Sequence, residues 1–544
     1  MVEIKFVTVK PGPGTESRRA QELRAAAARS HASRVSHIRA IQRKKELLRA
    51  DGENVDVHHH QSTKSEDTRP ANVLPYPDQS FATSTSHLET TLGQGRSDPF
   101  GSYDGSKLPH RLQAALEDAY EVVWPMMLEA KGEELAMIKR AWRSGAIHSP
   151  CLFHCQVMGA AGVAMAFCGN EALAQYFSHK RLEHQMIASR LIRQELERIN
   201  CDAQQPTAEL IMSILNLVGA SGDINNFDGG EVHPKSPLAQ AQPLGRAKID
   251  HAHFEVVHAL VKRIGGLIML KAYALAHMIE VIDIYVASER GSRPVYAPSH
   301  TYQGLATSGK FIPDDHAVEL AKVIGSGLEI LASLDEELFE LYLNAREVTV
   351  ALDQYHRGAH GRPSLNDLVE ARNMIQHGFC DLCSPPDPEM KPEAALYEIC
   401  RLAGLLFSDM VILPLPYNSG VKPRLSHRLR VILEASSMTT CWMSAELCNL
   451  LLWIVFMGAI AATLTPDRDW YVQRLQELTE RRPLDWHGFK RLMRTFLWWD
   501  FVFEVPAAKI WKIIQTSIAG GKSLSIRHKM ETQQLAHATG EVQT

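Results

Sequence analysis

From about Leu108 to Ile518, large apolar residues return every three or four positions, and almost nothing alternates in twos. The stretches LPHRLQAALEDAYEVVWPMMLEA, ALAQYFSHKRLEHQMIASRLIRQELERI and HAVELAKVIGSGLEILASLDEELFELYLNAREVTVAL all carry this spacing. A 3.6-residue period places one apolar stripe on a helix and has no counterpart in a pleated strand. Four hundred residues of it predict an all-α domain. No βαβ alternation and no short repeat interrupts the pattern. Breaks fall at Gly and Pro clusters, at 221–237, 288–298 and 383–392.

The segments before this region read differently. Residues 51–107 are polar, rich in Ser, Thr, Asp, Pro and His, and poor in large apolar residues, which predicts a disordered linker. Residues 519–544 read as a flexible tail. Val2–Val9 has strand-like alternation, and its lack of an apolar run argues against a signal peptide. From about Ser17 to Ala50 the chain holds strong helix formers without Pro or Gly.

Charge is segregated along the chain. Residues 1–50 contain twelve Lys or Arg against four Glu, about +8, although the whole protein carries −4. The remainder therefore carries about −12, and a basic arm on an acidic body points to an anionic partner for the arm. The run RSHASRVSHIRAIQRKK, Arg29 to Lys45, has six Lys or Arg and no acid. Arginines at 19, 24, 29, 34 and 39 advance about 140° per step on a helix, so they surround it and leave no apolar face. Such a helix gains order from a partner. Arg29, Arg34, Arg39, Arg43, Lys44 and Lys45 are the candidates for DNA contact or nuclear import. ELLRADGEN ends the helix one turn later, which leaves no room for a dimerising zipper.

Other motifs have structural readings. Thr516–Ser523, TSIAGGKS, approaches the phosphate-loop pattern G-x4-G-K-S/T but has Thr where the first Gly belongs and follows a helix. His251, His253 and His258 in HAHFEVVH lack the spacing of a zinc protease. CLFHC (Cys151, His154, Cys155) and CDLC (Cys380, Cys383) are each half of a zinc site, and CLFHC sits in an apolar helical pattern where Cys packs as a small hydrophobe. Nine cysteines scattered over 544 residues read as a reduced protein. Cys448–Leu464 is apolar but only about seventeen residues long, contains Asn449 and lacks flanking basic anchors, so a buried helix is expected rather than a membrane span. Trp453, Trp470, Trp486, Trp498, Trp499 and Trp511 read as core or as the walls of a ligand pocket. No catalytic residue, cofactor or metal is expected.

Several blocks in order resemble the fungal-specific transcription factor domain family, in its subgroup lacking an N-terminal zinc cluster. They are the opening FVTVKPGPGTESRRAQELRAAAARSHASRVSHIR, DPFGSYD (98–104), SPCLFHCQVMGAAGVAM (149–165), SHKRLEHQMIASRLI (178–192), HFEVVHALVKRIGGLIML (253–270), LLWIVFMGAIAATLTPDRDWYVQRL (451–475) and FLWWDFVF (496–503). The resemblance implies an all-α regulatory domain and a nuclear protein that controls transcription, often of metabolite gene clusters. On that reading the expected partners are proteins of the transcription machinery, and the helical domain serves dimerisation as a homodimer, effector sensing or control of activation. Members of the wider family hold two zinc ions on six closely spaced N-terminal cysteines. Here the first cysteine is Cys151, so only the basic arm is left to meet DNA, directly or through a DNA-binding partner. The competing expectations are a helical small-molecule-binding protein or enzyme with a Trp-lined pocket, and a cytoplasmic interaction scaffold.

Overall fold

The computed structural model describes residues 108–516, apart from 126–127, 129, 169, 203, 220–235, 240–248, 300, 383–391, 416, 436–443 and 483. The chain divides into two units, Met1–Pro70 and Ala71–Thr544, and all described residues belong to the second. Among the described residues the secondary structure is helical and contains no strand. The expectation of an all-α fold holds there. The basic arm 1–50, the linker 51–107 and the tail 519–544 lie outside the described residues.

The first half is built around one apolar helix. The helices are α1 (His110–Asp118), α2 (Gly132–His148), α3 (Pro150–Phe167), α4 (Glu171–Asp202), α5 (Ala208–Val218) and α6 (His251–Ile264). α1 continues into a π-helical turn, Ala119–Val123, and stops at Trp124–Pro125. α3 is covered by α1, α2, α4 and α5. Its start is specified locally: the Ser149 hydroxyl accepts from the Leu152 N–H, and Pro150 occupies the first turn, where its missing N–H is no loss. Thr207 and Asp250 cap α5 and α6 in the same way.

The second half comprises α7 (Leu275–Arg290), α8 (Asp315–Val323), α9 (Glu336–His356), α10 (Leu365–Asp381), α11 (Pro392–Val411), α12 (Val421–Ala435), α13 (Ala445–Ala461), α14 (Asp467–Arg481), α15 (Trp486–Arg494) and a last helix, α16, over 500–516. α11 is buried along most of its length by α9, α10, α12 and α13, while α14 lies on α12 and α13. α7 joins the halves by meeting both α5 and α10. α10 opens with a capping box between Ser364 and Asp367.

Two expectations about apolar segments resolve here. Leu450–Ala462 of the membrane-like stretch is buried inside the bundle, and among the described residues no helix is long and apolar enough to cross a membrane. Trp453, Trp498 and Trp499 are buried too. Their indole N–H groups donate to the Leu497 carbonyl, to Asp500 and to Asp353, and Trp453 stacks on Phe496. Trp486 and Trp511 pack on Phe489.

One helix is shorter than its periodicity predicts. The pattern running from His316 to Leu352 is split into α8 and α9 by Gly325, at φ 78°, and a 3₁₀ turn at Leu328–Ser333. The chain turns there to reach a tertiary partner. The N–H groups of Gly325 and Gly327 donate to the Phe496 and Thr495 carbonyls at 3.0 and 2.7 Å.

Candidate functional site

The six basic candidates, Arg29, Arg34, Arg39, Arg43, Lys44 and Lys45, lie outside the described residues. Of the TSIAGGKS motif only Thr516 is described. It ends α16 with its hydroxyl donating to the Lys512 carbonyl.

The histidines of α6 are each held by a different neighbour. His251 Nε2 lies 3.1 Å from Glu289, His253 Nδ1 lies 3.0 Å from Asp250, and His258 Nδ1 lies 2.9 Å from the Tyr296 hydroxyl. Among the described residues no three His, Cys, Asp or Glu side chains converge as a metal-binding group. Cys380 is described and buried; Cys383, its CDLC partner, lies outside the described residues.

The CLFHC turn instead joins a histidine pair. Cys151 and Cys155, one helical turn apart on α3, lie beside Ser213 of α5. Burial pushes the Cys155 thiol well up, whereas the hydrogen bond from Cys155 holds the Cys151 thiol down. His154 Nδ1 is 3.0 Å from Nδ1 of buried His184 on α4, with Phe153 edge-on to both rings. One imidazole must donate and the other accept, so the pair cannot hold two charged rings. Burial, followed by His154, pushes His184 down to about 4.

A larger polar cluster lies where α7, α10, α11 and α12 meet. Ser408 donates to Gln376 at 2.5 Å, and the Gln376 amide donates to Ser288 at 2.8 Å, with the Cys380 sulfur 3.7 Å away. The Ser288 hydroxyl donates to the Ile284 carbonyl, and the Ser288 carbonyl accepts from Arg424. One step along α11, Asp409 pairs with Lys422 at 2.9 Å. One and a half turns before Ser288, buried Asp283 accepts from the Val295 and Tyr296 N–H groups at 2.6 and 2.9 Å, and His377 lies 2.9 Å from the Tyr296 carbonyl. A buried chain of matched donors and acceptors specifies one helix register, because any slip strands several polar groups. Sequence reasoning missed this seam. Its only signal was polar residues at core positions of apolar helices, and Ser288, Gln376 and Ser408 are far apart in the chain.

Comparison of the chain with protein-family models, with curated proteins and with solved structures returns no match.

The histidine pair and the seam make opposite contributions to pH dependence. His184 is pushed down from 6.5 to about 4, so the unfolded chain binds its proton more readily between those values. Its contribution to stability is complete above pH 6.5 and is lost as pH falls through 4. Burial, opposed by Lys422, pushes Asp409 up from 3.8 to about 6. Its contribution is complete below pH 3.8 and is lost as pH rises through 6. His184→Gln should therefore narrow the stability gap between pH 7 and pH 4 by roughly 2 kcal/mol. Urea midpoints across that range measure it, and parallel curves for variant and wild type would remove His184 from the account.

Proposed function

We propose that this chain is a fungal nuclear transcription regulator, with a metabolite gene cluster as the kind of target such regulators control. In this reading the arm, 1–50, contacts DNA or serves nuclear import. The linker, 51–107, gives it reach. The all-α body, 108–518, supplies dimer, effector or transcription-machinery contacts, and DNA contact not made by the arm passes through a DNA-binding partner. The observation that carries the proposal is the charge pattern: six Lys or Arg without one acid between Arg29 and Lys45, on a chain whose residues 51–544 carry about −12. An acidic body repels phosphate, so the arm is where a polyanion would be met. The ordered blocks from the opening segment to FLWWDFVF support the same reading.

The test is DNA binding by the full chain, titrated with salt, beside a full chain with Arg29, Arg34, Arg39, Arg43, Lys44 and Lys45 replaced by alanine. Six phosphate contacts predict a loss of affinity of about 10³ between 50 and 200 mM salt, and the variant should lose most of that slope. A residual preference among sequences would make the arm a reader of DNA. Equal, salt-insensitive behaviour of the two chains would sink the proposal that the arm binds DNA and leave import as its role.

A further inference from the structure

The start of α7 disagrees with its own sequence. Between Gly266 and Leu275 the chain reads LIMLKAYA, which contains no Gly or Pro and consists mostly of good helix formers. The natural helix start is just after Gly265 and Gly266, which hold φ values of 97° and 104°. Yet only a 3₁₀ turn forms there, Leu267–Met269, and α7 begins at Leu275 behind Ala274, which offers no side-chain cap. α3, α5, α6, α9, α10, α13 and α15 all begin behind a Ser, Thr or Asp whose side chain caps them.

What stops α7 is backbone strain held by side chains. Tyr273 and Ala274 have φ of 64° and 54°, and they are the only non-glycine residues at positive φ among the described residues. Left-handed backbone brings Cβ against the following carbonyl and persists only where neighbours enforce it. The enforcement is visible. The Tyr273 hydroxyl donates to Glu209 of α5 at 2.5 Å, and the Trp142 indole of α2 donates to the Tyr273 carbonyl at 3.0 Å. The Tyr273 ring lies so close to α2 that a Cβ at Gly145 would be 2.9 Å from its oxygen.

The strained form also exposes apolar surface. Ile268 is 80% exposed and Met269 60%. Continue α7 backwards at 100° per residue and Ile268 falls within about 40° of Leu275, Ile279, Ile282 and Val286. Those four are buried, and Leu275 and Ile279 are the buried residues among the first six of α7. The sequence thus places Ile268 on the core face of a longer helix, while the observed backbone leaves it in water.

We infer that residues 267–274 are a two-state segment. Tyr273 on Glu209 and Gly145 is the latch that keeps it out of α7; unlatched, it joins α7 as one helix from Leu267 to Arg290. Because the latch is made by α2 and α5, a ligand or partner that shifts those helices, or takes up Ile268 and Met269, changes the length of α7. α7 in turn carries Asp283 and Ser288 of the polar seam. The inference is independent of the transcription reading.

Hydrogen exchange on the full chain tests it. In the latched form the amides of Lys271 to Ala274 lie outside the helix; in the extended form they donate along it. Tyr273→Phe removes the bond to Glu209 and should slow exchange of these amides at least tenfold. Adding Ala274→Gly, which favours the left-handed form, should restore fast exchange. Glu209→Gln weakens the latch from its other side and should slow the same amides, which provides the test if Tyr273→Phe does not fold. Unchanged or faster exchange in the latch variants would overturn the inference, because the segment would then have no helical alternative.

Discussion

Lys422→Met is expected to cost about 3–5 kcal/mol of stability at neutral pH, because it strands a buried carboxylate. Lys422 and Asp409 are 7% and 2% exposed and lie 2.9 Å apart. The ammonium also donates to the Leu415 carbonyl at 2.6 Å, and Asp409 accepts from the Leu415 N–H at 3.2 Å. The pair thereby closes the turn between α11 and α12. Methionine matches the length of lysine and fills its space, so the loss reports charge rather than volume. The double variant Asp409→Leu with Lys422→Met should recover most of the loss, since two apolar groups need no partner. The pH dependence follows from linkage. Without Lys422 the Asp409 carboxyl rises further above its ordinary value, and the folded chain holds it protonated. The deficit should then shrink as pH falls toward 4, where the unfolded chain takes up that proton as well. Denaturant midpoints of wild type, both single variants and the double variant form a cycle that isolates the pair. A deficit independent of pH would show that packing, not the carboxylate, sets the loss.

That pair also shows which parts of this structure could be read from its sequence. The all-α class was legible because a 3.6-residue period is written in every few residues, and several helix starts carry a local signal in Ser149, Thr207, Asp250, Ser364 and Ser444. Burial of Leu450–Ala462 was legible from its length and its polar edge. What the sequence did not disclose shares one cause, which is information held by distant residues. The split of His316–Leu352 depends on carbonyls at 495–496, and the late start of α7 depends on Glu209 and Trp142. The seam at Ser288, Gln376 and Ser408 is assembled from three helices, and no spacing within any one of them announces it. The candidate arm is the reverse case: its signal is charge alone, written wholly in local sequence.

Gly458→Ala tests close packing in the most apolar part of the core. The exchange normally favours a helix by about 1 kcal/mol, since alanine loses less backbone freedom. Here the new Cβ would stand 2.2 and 2.4 Å from two ring carbons of Tyr471, distances that real atoms do not adopt. The ring has nowhere to go. Tyr471 is fully buried on α14, and its hydroxyl donates to the Ser426 carbonyl of α12 at 2.6 Å. Relief requires α13 and α14 to separate or the Tyr471 bond to break. Overpacking costs about 1–3 kcal/mol and a lost buried hydrogen bond about 1 more, so the net loss should be about 1–3 kcal/mol after the helix gain. Gly159→Ala on α3 is the matched control. Its Cβ would meet Asn216 and Trp124 no closer than 3.5 Å, an ordinary contact. That variant should gain about 0.5–1 kcal/mol from the same chemical change. Opposite shifts in denaturant midpoint are therefore expected from two glycine-to-alanine changes in helices. A gain at Gly458 as well would mean that α13 and α14 can separate freely, and that Tyr471 does not clamp the three helices α12, α13 and α14 together.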